Sequence, residues 1–442
     1  MTAPQRLDLD WVDIDADHFM TLGGQACRRH RPHVTQTQNR QSHGSRQSSR
    51  RLAQRAVIVA APQRDRPPYA VRVRGTLPSI GASLIVRDEE HCLARCLSSI
   101  RALVDEIVIV DTGSIDRSIE IAENFGARVI HRTWTGDFAG ARNIGLDAMR
   151  CDLVLYLDAD EFLADTDPAA LLGGHTSDAY VAYRLLLRSR PGFTAYREYR
   201  LWENRPEIRF GGVIHESVVP SILAVAERED RRVGLLDLLL EHDGYEGDQS
   251  HKHRRNLPLL LEQVLNDPTR TYLWDHIGRI RTELGDLAGA REAFRTGVDL
   301  VRRHGVFDPA DAMVFADLIF ANAVQDTPDA SLVAEGTALF PDNPFVRWCA
   351  ALDALHRAAY PEVCEHLERV LALDEGQMAD MALGLNQRIR AEWAFNVRAM
   401  ARFEMGDHAA AAEDFARAEA AAPDVLAYRT KRIVAQGRAQ RG

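Results

Sequence analysis

The sequence has no long hydrophobic run. No uninterrupted apolar stretch among its 442 residues approaches the roughly 18–20 that a membrane helix needs. The first residues, MTAPQRLDLDWVDID, are acidic and lack the basic-then-apolar order of a secretory signal. A net charge of −10 argues against nucleic-acid partners. We therefore expect a cytoplasmic protein without a transmembrane segment.

Cysteine is scarce and scattered. The six cysteines show no disulfide-framework spacing, so we expect reduced thiols. Cys92 and Cys96 lie four residues apart on a predicted helix, but no second pair follows at the spacing of a zinc site. Both thiols are therefore predicted to be structural.

Two glycine-rich nucleotide motifs are also missing. The sequence contains no GxxxxGK[ST], and no GxGxxG follows the first predicted strand. These absences exclude a P-loop nucleotidase and a typical dinucleotide-binding enzyme.

Three segments differ in composition. Residues 1–78 include an Arg-, Gln- and Ser-rich stretch that is nearly free of acid, and are predicted to be a mostly disordered basic segment. Residues 79–248 alternate short apolar runs with helical patterns, whereas residues 249–442 show helical spacing only. We predict an α/β domain followed by an all-α domain.

The α/β segment contains four apolar runs separated by helical patterns, at 82–86, 106–110, 127–130 and 152–157. Continuous β-branched runs joined by helices are typical of a mostly parallel, Rossmann-like sheet that is buried on both faces. After about residue 176 the pattern becomes mixed.

The helical segment contains a repeat. The first copy has Trp274, Gly278, Gly285, Ala290 and Phe294 at relative offsets 0, 4, 11, 16 and 20. Near the C-terminus the offsets 0, 11, 16, 20, 23 and 28 hold Phe395, Gly406, Ala411, Phe415, Ala418 and Pro423. Small residues at these offsets let two helices of a hairpin cross closely, as in the 34-residue tetratricopeptide (TPR) pattern. The stretch 343–372 is a candidate degenerate copy, and an irregular helical bundle is the alternative interpretation.

Acidic side chains follow three of the predicted strands: RDEE at 87–90, DTGS at 111–114 and DADE at 158–161. Ligands bind beyond the carboxyl ends of strands in open parallel sheets. Converging carboxylates repel one another unless a cation compensates them, and hard oxygen ligands suit Mg²⁺ or Mn²⁺. Arg142 and Asn143 add hydrogen-bond donors that a phosphate could use. The pattern indicates a metal-bound nucleoside diphosphate.

Five segments, in this order along the chain, closely resemble family 2 glycosyltransferases of the GT-A fold: SLIVRDEEHCLARCLSSI, DEIVIVDTGSIDRSIEIAENFGARV, DFAGARN, DLVLYLDADEF and RFGGVIHE. The resemblance covers about residues 80–220. It implies a GT-A catalytic domain that uses a nucleotide-sugar donor, most simply a UDP-sugar, with Mn²⁺ or Mg²⁺ as cofactor. Related sequences usually carry Lys-Asn-Glu-Glu where this chain has RDEE, which leaves Asp88 without a clear role.

The resemblance also implies roles on the donor side. Asp111 would hydrogen-bond the uracil base, with Glu89 lining the same pocket. Asp158 would contact the ribose or sugar, and Arg142 the phosphates or donor sugar. Asp160 would ligate the metal. No role is assigned to Glu161.

On the opposite face of the sugar an inverting transfer needs one carboxylate base. Glu216, in GGVIHES, is the candidate, because glycines precede it and the family's catalytic carboxylate lies in this later region. Its neighbour His215 and the later His242, in HDGY, are candidate metal or phosphate ligands.

Two other functions fit parts of the sequence. A non-catalytic nucleotide-binding scaffold would use the helical repeats as its working surface, for a peptide or protein partner or for a homodimer. A nucleotidyltransferase is disfavoured, because RDEE replaces its glycine-rich basic loop. The sequence does not identify the acceptor.

Overall fold

The computed structural model describes residues 78–164, 179–242, 250–306, 309–381 and 384–441. The predicted basic segment 1–78 lies outside the described residues except for Pro78. The described strands all fall between residues 80 and 242, and from Ser250 onwards the regular elements are helices. The predicted domain boundary at 248/249 lies between these two parts, outside the described residues.

The α/β part is built on one eight-stranded sheet with the order β3-β2-β1-β4-β7-β6-β8-β5. The strands are β1 Ile80–Val86, β2 Glu106–Asp111, β3 Arg128–His131, β4 Leu153–Tyr156, β5 Glu161–Leu163, β6 Tyr180–Arg188, β7 Tyr196–Glu203 and β8 Arg232–His242. Strands β1 to β4 are mutually parallel, as predicted. Strand β7 is antiparallel to both β4 and β6, and β5 is antiparallel to β8, so the second half of the sheet is mixed.

Helices cover both faces of this sheet, which is why most residues of its central strands β1, β2 and β4 are buried. They are α1 Leu93–Ile100, α2 Ser118–Asn124, α3 Phe138–Ala148 and α4 Val219–Glu229. Helices α1 and α2 contribute to the apolar cluster around Leu84 and Leu155, and α3 and α4 to the cluster around Val154 and Trp202. The prediction that the sheet is buried on both faces is confirmed.

Two local helix signals in the sequence are confirmed. Asp137 caps α3, because its side chain accepts a hydrogen bond from the N–H of Gly140 at 2.9 Å. Gly126 follows α2 with a φ of +73°, a conformation that glycine adopts without strain. Asp137 thus shapes the turn from β3 into α3, at the same sheet edge as the acidic strand ends, and Gly126 shapes the turn from α2 into β3 at the opposite edge.

The second part is all-helical. Its helices are α5 Ser250–Asn266, α6 Thr271–Glu283, α7 Leu287–His304, α8 Ala312–Val324, α9 Ala330–Leu339, α10 Pro344–His356, α11 Tyr360–Ala372, α12 Glu375–Ala379, α13 Ala394–Glu404, α14 His408–Ala421 and α15 Leu426–Ala439. None of the helices in the described part of the chain is both long and apolar enough to cross a membrane.

The predicted repeat residues sit where two helices cross. Gly278 of α6 lies so close to the ring of Phe294 on α7 that a Cβ atom would come within 2.3 Å of it. Gly285 and Gly406, at the same repeat offset, both turn the chain with a φ of +84°. In the degenerate copy the turn between α10 and α11 places Ala358 at a φ of +57°. The repeat is therefore a series of helical hairpins, of TPR type.

Candidate active site

Five of the predicted site residues line a cavity of about 480 Å³ at the carboxyl end of β4, whereas Glu89, Asp111 and Asp160 are not among its lining residues. Arg142, Asp158 and Glu216 line this cavity together with His215 and His242. Tyr196, Glu198 and Tyr199 contribute the wall from strand β7. Asp158 and Glu216 thus line the same cavity, although they are 58 positions apart in the sequence.

Arg142 connects two of these carboxylates. Its Nη2 donates to Oδ1 of Asp158 at 2.8 Å, and its Nε donates to Oε1 of Glu216 at 2.5 Å. The third nitrogen, Nη1, is buried without a hydrogen-bond partner among the described residues. Burial opposes the charge of Arg142, but the surrounding negative groups, Asp158 and Glu216 among them, raise its pKa above the ordinary value. A charged guanidinium with an unpaired N–H in a cavity wall can bind an anionic group of a ligand.

Asn143 does not point its amide at this space. Its side chain donates to the carbonyl of Phe210 at 3.0 Å and accepts from the N–H of Phe210 at 2.9 Å. The suggestion that Asn143 supplies a phosphate donor is therefore wrong. Asn143 instead fixes the chain that leads into the loop carrying Glu216.

Asp158 is stabilised as a carboxylate. Burial would raise the pKa of this residue, but the positive charges of Arg142 and Arg200 lower it below the usual value. The hydroxyl of Tyr156 lies 3.4 Å from its Oδ2. Arg142 also lies over the ring of Tyr156, at 4.4 Å from the ring centre.

Glu161 is the buried residue of the acidic turn and holds the backbone of Asp158. It is 1% exposed, and its Oε2 accepts the N–H of Asp158 at 2.9 Å. Arg200 donates to both of its oxygens, at 2.7 and 3.0 Å. Burial opposes the charge of Arg200, but the carboxylates of Glu161 and Glu198 raise its pKa well above the ordinary value. This role of Glu161 was not predictable from a local motif, since its partner is 39 residues away.

Asp160 and His242 form a second pair. The Nε2 atom of His242 lies 3.3 Å from Oδ2 of Asp160, because strand β8 pairs with β5 directly after the acidic turn. Burial raises the pKa of Asp160 and lowers that of His242, which keeps the imidazole neutral. A neutral imidazole is the form that binds metals.

Two further acidic residues belong to the donor side of the prediction. Burial, together with the charges of Asp160 and Asp158, raises the pKa of Glu89. Asp111 is 4% exposed, and its two oxygens accept the N–H groups of Ser114 and Gly113 at 3.1 and 3.2 Å. The structure therefore brings Glu89 into the electrostatic field of the DADE turn, and Asp111 shapes the turn after β2.

His215 lies on another side of the cavity. Its ring stacks on His276 of helix α6, with ring centres 3.9 Å apart. Within the described ranges no three His, Cys, Asp or Glu side chains converge as a metal-ligand cluster. The structure thus brings together Asp160 and His242, but His215 does not join them in such a cluster.

The comparisons with known proteins agree with this architecture. The Glycosyl transferase family 2 profile matches residues 84–219. A TPR repeat-containing protein of Synechococcus elongatus is 32% identical over 315 residues, which are 68% of this chain and 73% of that protein. An uncharacterized glycosyltransferase of Rickettsia felis is 32% identical over 114 residues, or 25% of this chain and 40% of that one.

Among solved structures, glucosyl-3-phosphoglycerate synthase from Mycobacterium tuberculosis in complex with Mn²⁺ and UDP-glucose superposes with a TM-score of 0.33 at 17% identity. The matched region spans 42% of this chain and 79% of the chain in that structure.

The family match over the α/β part, which TPR-type hairpins follow, identifies the protein as a transferase. The chain belongs to glycosyl transferase family 2, and its N-terminal described domain is the glycosyltransferase domain of that family.

Proposed function

We propose that the protein is a metal-dependent, inverting glycosyltransferase that moves a sugar from a nucleotide-diphosphate donor, a UDP-sugar in the simplest case, to an acceptor hydroxyl or thiol. The observation that carries the proposal is the bridge formed by Arg142. Its hydrogen bonds of 2.8 and 2.5 Å bring the carboxylates of Asp158 and Glu216 to the same cavity, which supports a donor-contacting role for the first and the role of base for the second. One carboxylate can therefore contact the donor while the other faces the acceptor.

Asp111, Glu89, Asp158 and Arg142 form the proposed donor side. Oδ1 of Asp111 accepts one backbone N–H and retains a lone pair for an N–H of the uracil ring, whereas Oδ2 accepts the N–H of Gly113 and also lies 3.4 Å from Nδ1 of His131. Arg142 retains an unpaired buried N–H, which suits an oxygen of the diphosphate or the sugar. With these roles, each part of a UDP-sugar (base, diphosphate and sugar) has at least one protein side chain to contact it.

The residues present fit a divalent cation. Asp160 offers a carboxylate oxygen and His242 a neutral imidazole nitrogen 3.3 Å apart, a donor set that suits Mn²⁺ and, with water, Mg²⁺. Two protein ligands are enough when substrate phosphates supply the others. When bound, the cation would stabilise the negative charge of the departing diphosphate. His215 is left out of this proposed site, because it stacks on His276 instead.

Glu216 is the proposed general base. It would take the proton from the acceptor oxygen or sulfur as that atom bonds to C1 of the sugar and the C1–O bond to the diphosphate breaks. Attack from the face opposite the leaving group inverts the anomeric configuration. The side chain of Glu216 is 10% exposed, so its carboxylate is largely shielded from bulk water.

The test uses the full chain in two steps. Calorimetry with UDP in the presence and absence of Mn²⁺ is expected to show metal-dependent binding. A panel of nucleotide sugars is then screened for metal-dependent hydrolysis, and the panel member that is consumed identifies the donor. Absence of UDP binding with Mn²⁺ present would contradict the proposal and favour the non-catalytic scaffold, in which the helical domain mediates protein interaction.

A further inference from the structure

The loop that carries Glu216 is closed on itself. Gly211 and Ser217 exchange two backbone hydrogen bonds, at 3.0 and 2.9 Å, so that residues 211–217 form one small unit, called here the Glu216 loop. Within it Gly212 has a φ of +97° and His215 a φ of +49°. A left-handed backbone at a residue other than glycine is unfavourable by roughly 1 kcal/mol or more and persists only where surrounding contacts hold it. One such contact comes from the α/β domain, where the N–H of Phe138 donates to the carbonyl of Val213 at 3.0 Å. Two others come from the helical domain.

The first contact is apolar. Ile214 is 3% exposed and belongs to the same buried cluster as Leu260, Val264, Leu273 and Ile277, which lie on helices α5 and α6. Its N–H donates to Oε1 of Gln263 on α5 at 3.2 Å. The side chain before the His-Glu pair is thus part of the core of the helical domain.

The second contact involves the next residue. The hydroxyl of Tyr272 on α6 donates to the backbone carbonyl of His215 at 2.9 Å, and the ring of His215 stacks on that of His276 one turn further along the helix. Arg270 also donates to the hydroxyl of Tyr272. Burial raises the pKa of Tyr272 to about 12, so its hydroxyl keeps the proton that it donates.

Neighbouring residues of the Glu216 loop therefore contact different domains. Ile214 and His215 are bound by α5 and α6, whereas Glu216 turns back to Arg142 in the cavity. Because His215 and Glu216 share a peptide bond, the orientation of the Glu216 carboxylate depends on how the helices hold His215. A misplacement of a catalytic group by about 1 Å can cost two orders of magnitude in rate.

We propose that the helix pair α5–α6 is a working part of the active site, with Gln263 and Tyr272 as positioning residues that set the direction of Glu216. The inference rests on the proposed role of Glu216 as base. It gives the helical domain a function within the transfer reaction itself, in addition to any surface that it offers a partner.

The test compares two Tyr→Phe variants of the full chain. Tyr272→Phe removes the hydrogen bond to His215 and keeps the ring, whereas Tyr360→Phe makes the same change at the start of α11, outside the contacts of the loop. Gln263→Met, which removes the acceptor for Ile214, is the second variant. Hydrogen exchange of the 211–217 segment, Tm, UDP affinity and the kinetics of sugar transfer or donor hydrolysis are measured for each.

We expect faster exchange at 211–217 in Tyr272→Phe and Gln263→Met, and kcat lowered about tenfold or more, with UDP affinity, KM for the donor and Tm as in Tyr360→Phe. Unchanged exchange would overturn the inference. So would unchanged kcat despite faster exchange, provided that Glu216→Gln is inactive, and this result would leave the proposed function intact. Full activity of Glu216→Gln would overturn the base assignment and the inference together.

Discussion

The Nε atom of Arg142 lies 2.5 Å from Oε1 of Glu216, although 74 residues separate them in the chain. The contact connects the first turns of helix α3 to the loop after β7, and it joins two sides of the cavity described above. Asn143 strengthens the same connection one residue later through its two hydrogen bonds to Phe210. The candidate base is therefore held by the helix that also supplies the donor-side arginine.

Replacing Glu216 by Gln is expected to abolish most of the transfer activity while leaving the donor site intact. Gln keeps the size and an acceptor oxygen but cannot take a proton, and loss of a general base lowers kcat by roughly 10²- to 10⁴-fold. UDP affinity, measured by calorimetry, should be unchanged. The exposed Glu207→Gln variant is the control, and a wild-type kcat for Glu216→Gln would show that another group is the base.

Asp160→Asn should remove metal-dependent activity. The amide oxygen is a weaker ligand than a carboxylate, and the variant loses the charge that attracts the cation next to His242. We expect UDP to bind equally with and without Mn²⁺ in this variant. Asp424→Asn, on the exposed surface of the helical domain, controls for the loss of one negative charge. Full Mn²⁺-dependent hydrolysis by Asp160→Asn would contradict the metal assignment.

The buried Glu161–Arg200 pair should dominate the stability of the acidic turn. Arg200→Met leaves the carboxylate of Glu161 buried without its cation, and breaking a buried pair in this way lowers the free energy of unfolding by about 3–5 kcal/mol. Adding Glu161→Gln removes the uncompensated charge, so the double variant should be more stable than Arg200→Met alone. Urea denaturation of the three proteins measures this. A double variant less stable than Arg200→Met would show that the Glu161–Arg200 ion pair is not the main contribution of these residues to the free energy of unfolding.

Acid should weaken the contact between the two domains. Burial lowers the pKa of His215 to about 4 and that of His276 well below its ordinary value of 6.5. The two imidazoles therefore bind protons more readily in the unfolded chain than in the folded one. Their contribution to the free energy of unfolding is fully present above about pH 6.5 and is lost as the pH falls from 6.5 to 4. His276→Phe keeps the ring contact and should reduce this fall by up to about 1 kcal/mol per pH unit.

Thermal unfolding of wild type, His276→Phe and the exposed-site control His91→Phe at pH 7 and pH 5 tests this expectation. Equal losses of Tm in all three proteins would refute it.

The close helix crossing at Gly278 can be tested with alanine. A Cβ atom at this position meets three ring atoms of Phe294 within 2.7 Å, and overpacking of this kind costs typically 1–3 kcal/mol. The same change at Gly437, on α15, meets no described atom within 4 Å. Gly437→Ala should therefore be neutral or slightly stabilising. Equal Tm values for the two variants would mean that the hairpin does not pack as described.

The sequence predicted the parts of the site that local patterns encode. Strands β1, β2 and β4 are continuous apolar runs, and because they are parallel their acidic ends must meet at one edge of the sheet. Burial raises the pKa of Glu89, and the charges of Asp160 and Asp158, which lie at the same edge, add to this effect. The repeat spacing likewise predicted the crossing at Gly278.

The role of Glu161 could not be predicted in the same way. Arg200 is the extra residue of an irregularity in strand β7, where Tyr199 pairs with Arg184 and Leu201 with Tyr183. A bulge of this kind redirects a side chain against the two-residue period of a strand. Alternation along β7 therefore gave no sign that Arg200 reaches Glu161. The hydrogen bonds from Gln263 and Tyr272 to the Glu216 loop were equally unpredictable, since they join segments of different domains.

Ile214 has a consequence for protein engineering and for evolution by recombination. Its side chain is a core residue of the helical domain, although it lies within the stretch matched by the family profile. A chimera cut between the last strand and the first helix would fuse this loop to a foreign helix pair with no matching pocket. The exchangeable module is therefore the helical domain together with residues 211–217, and homologous swaps should preserve catalysis only when both move as a unit.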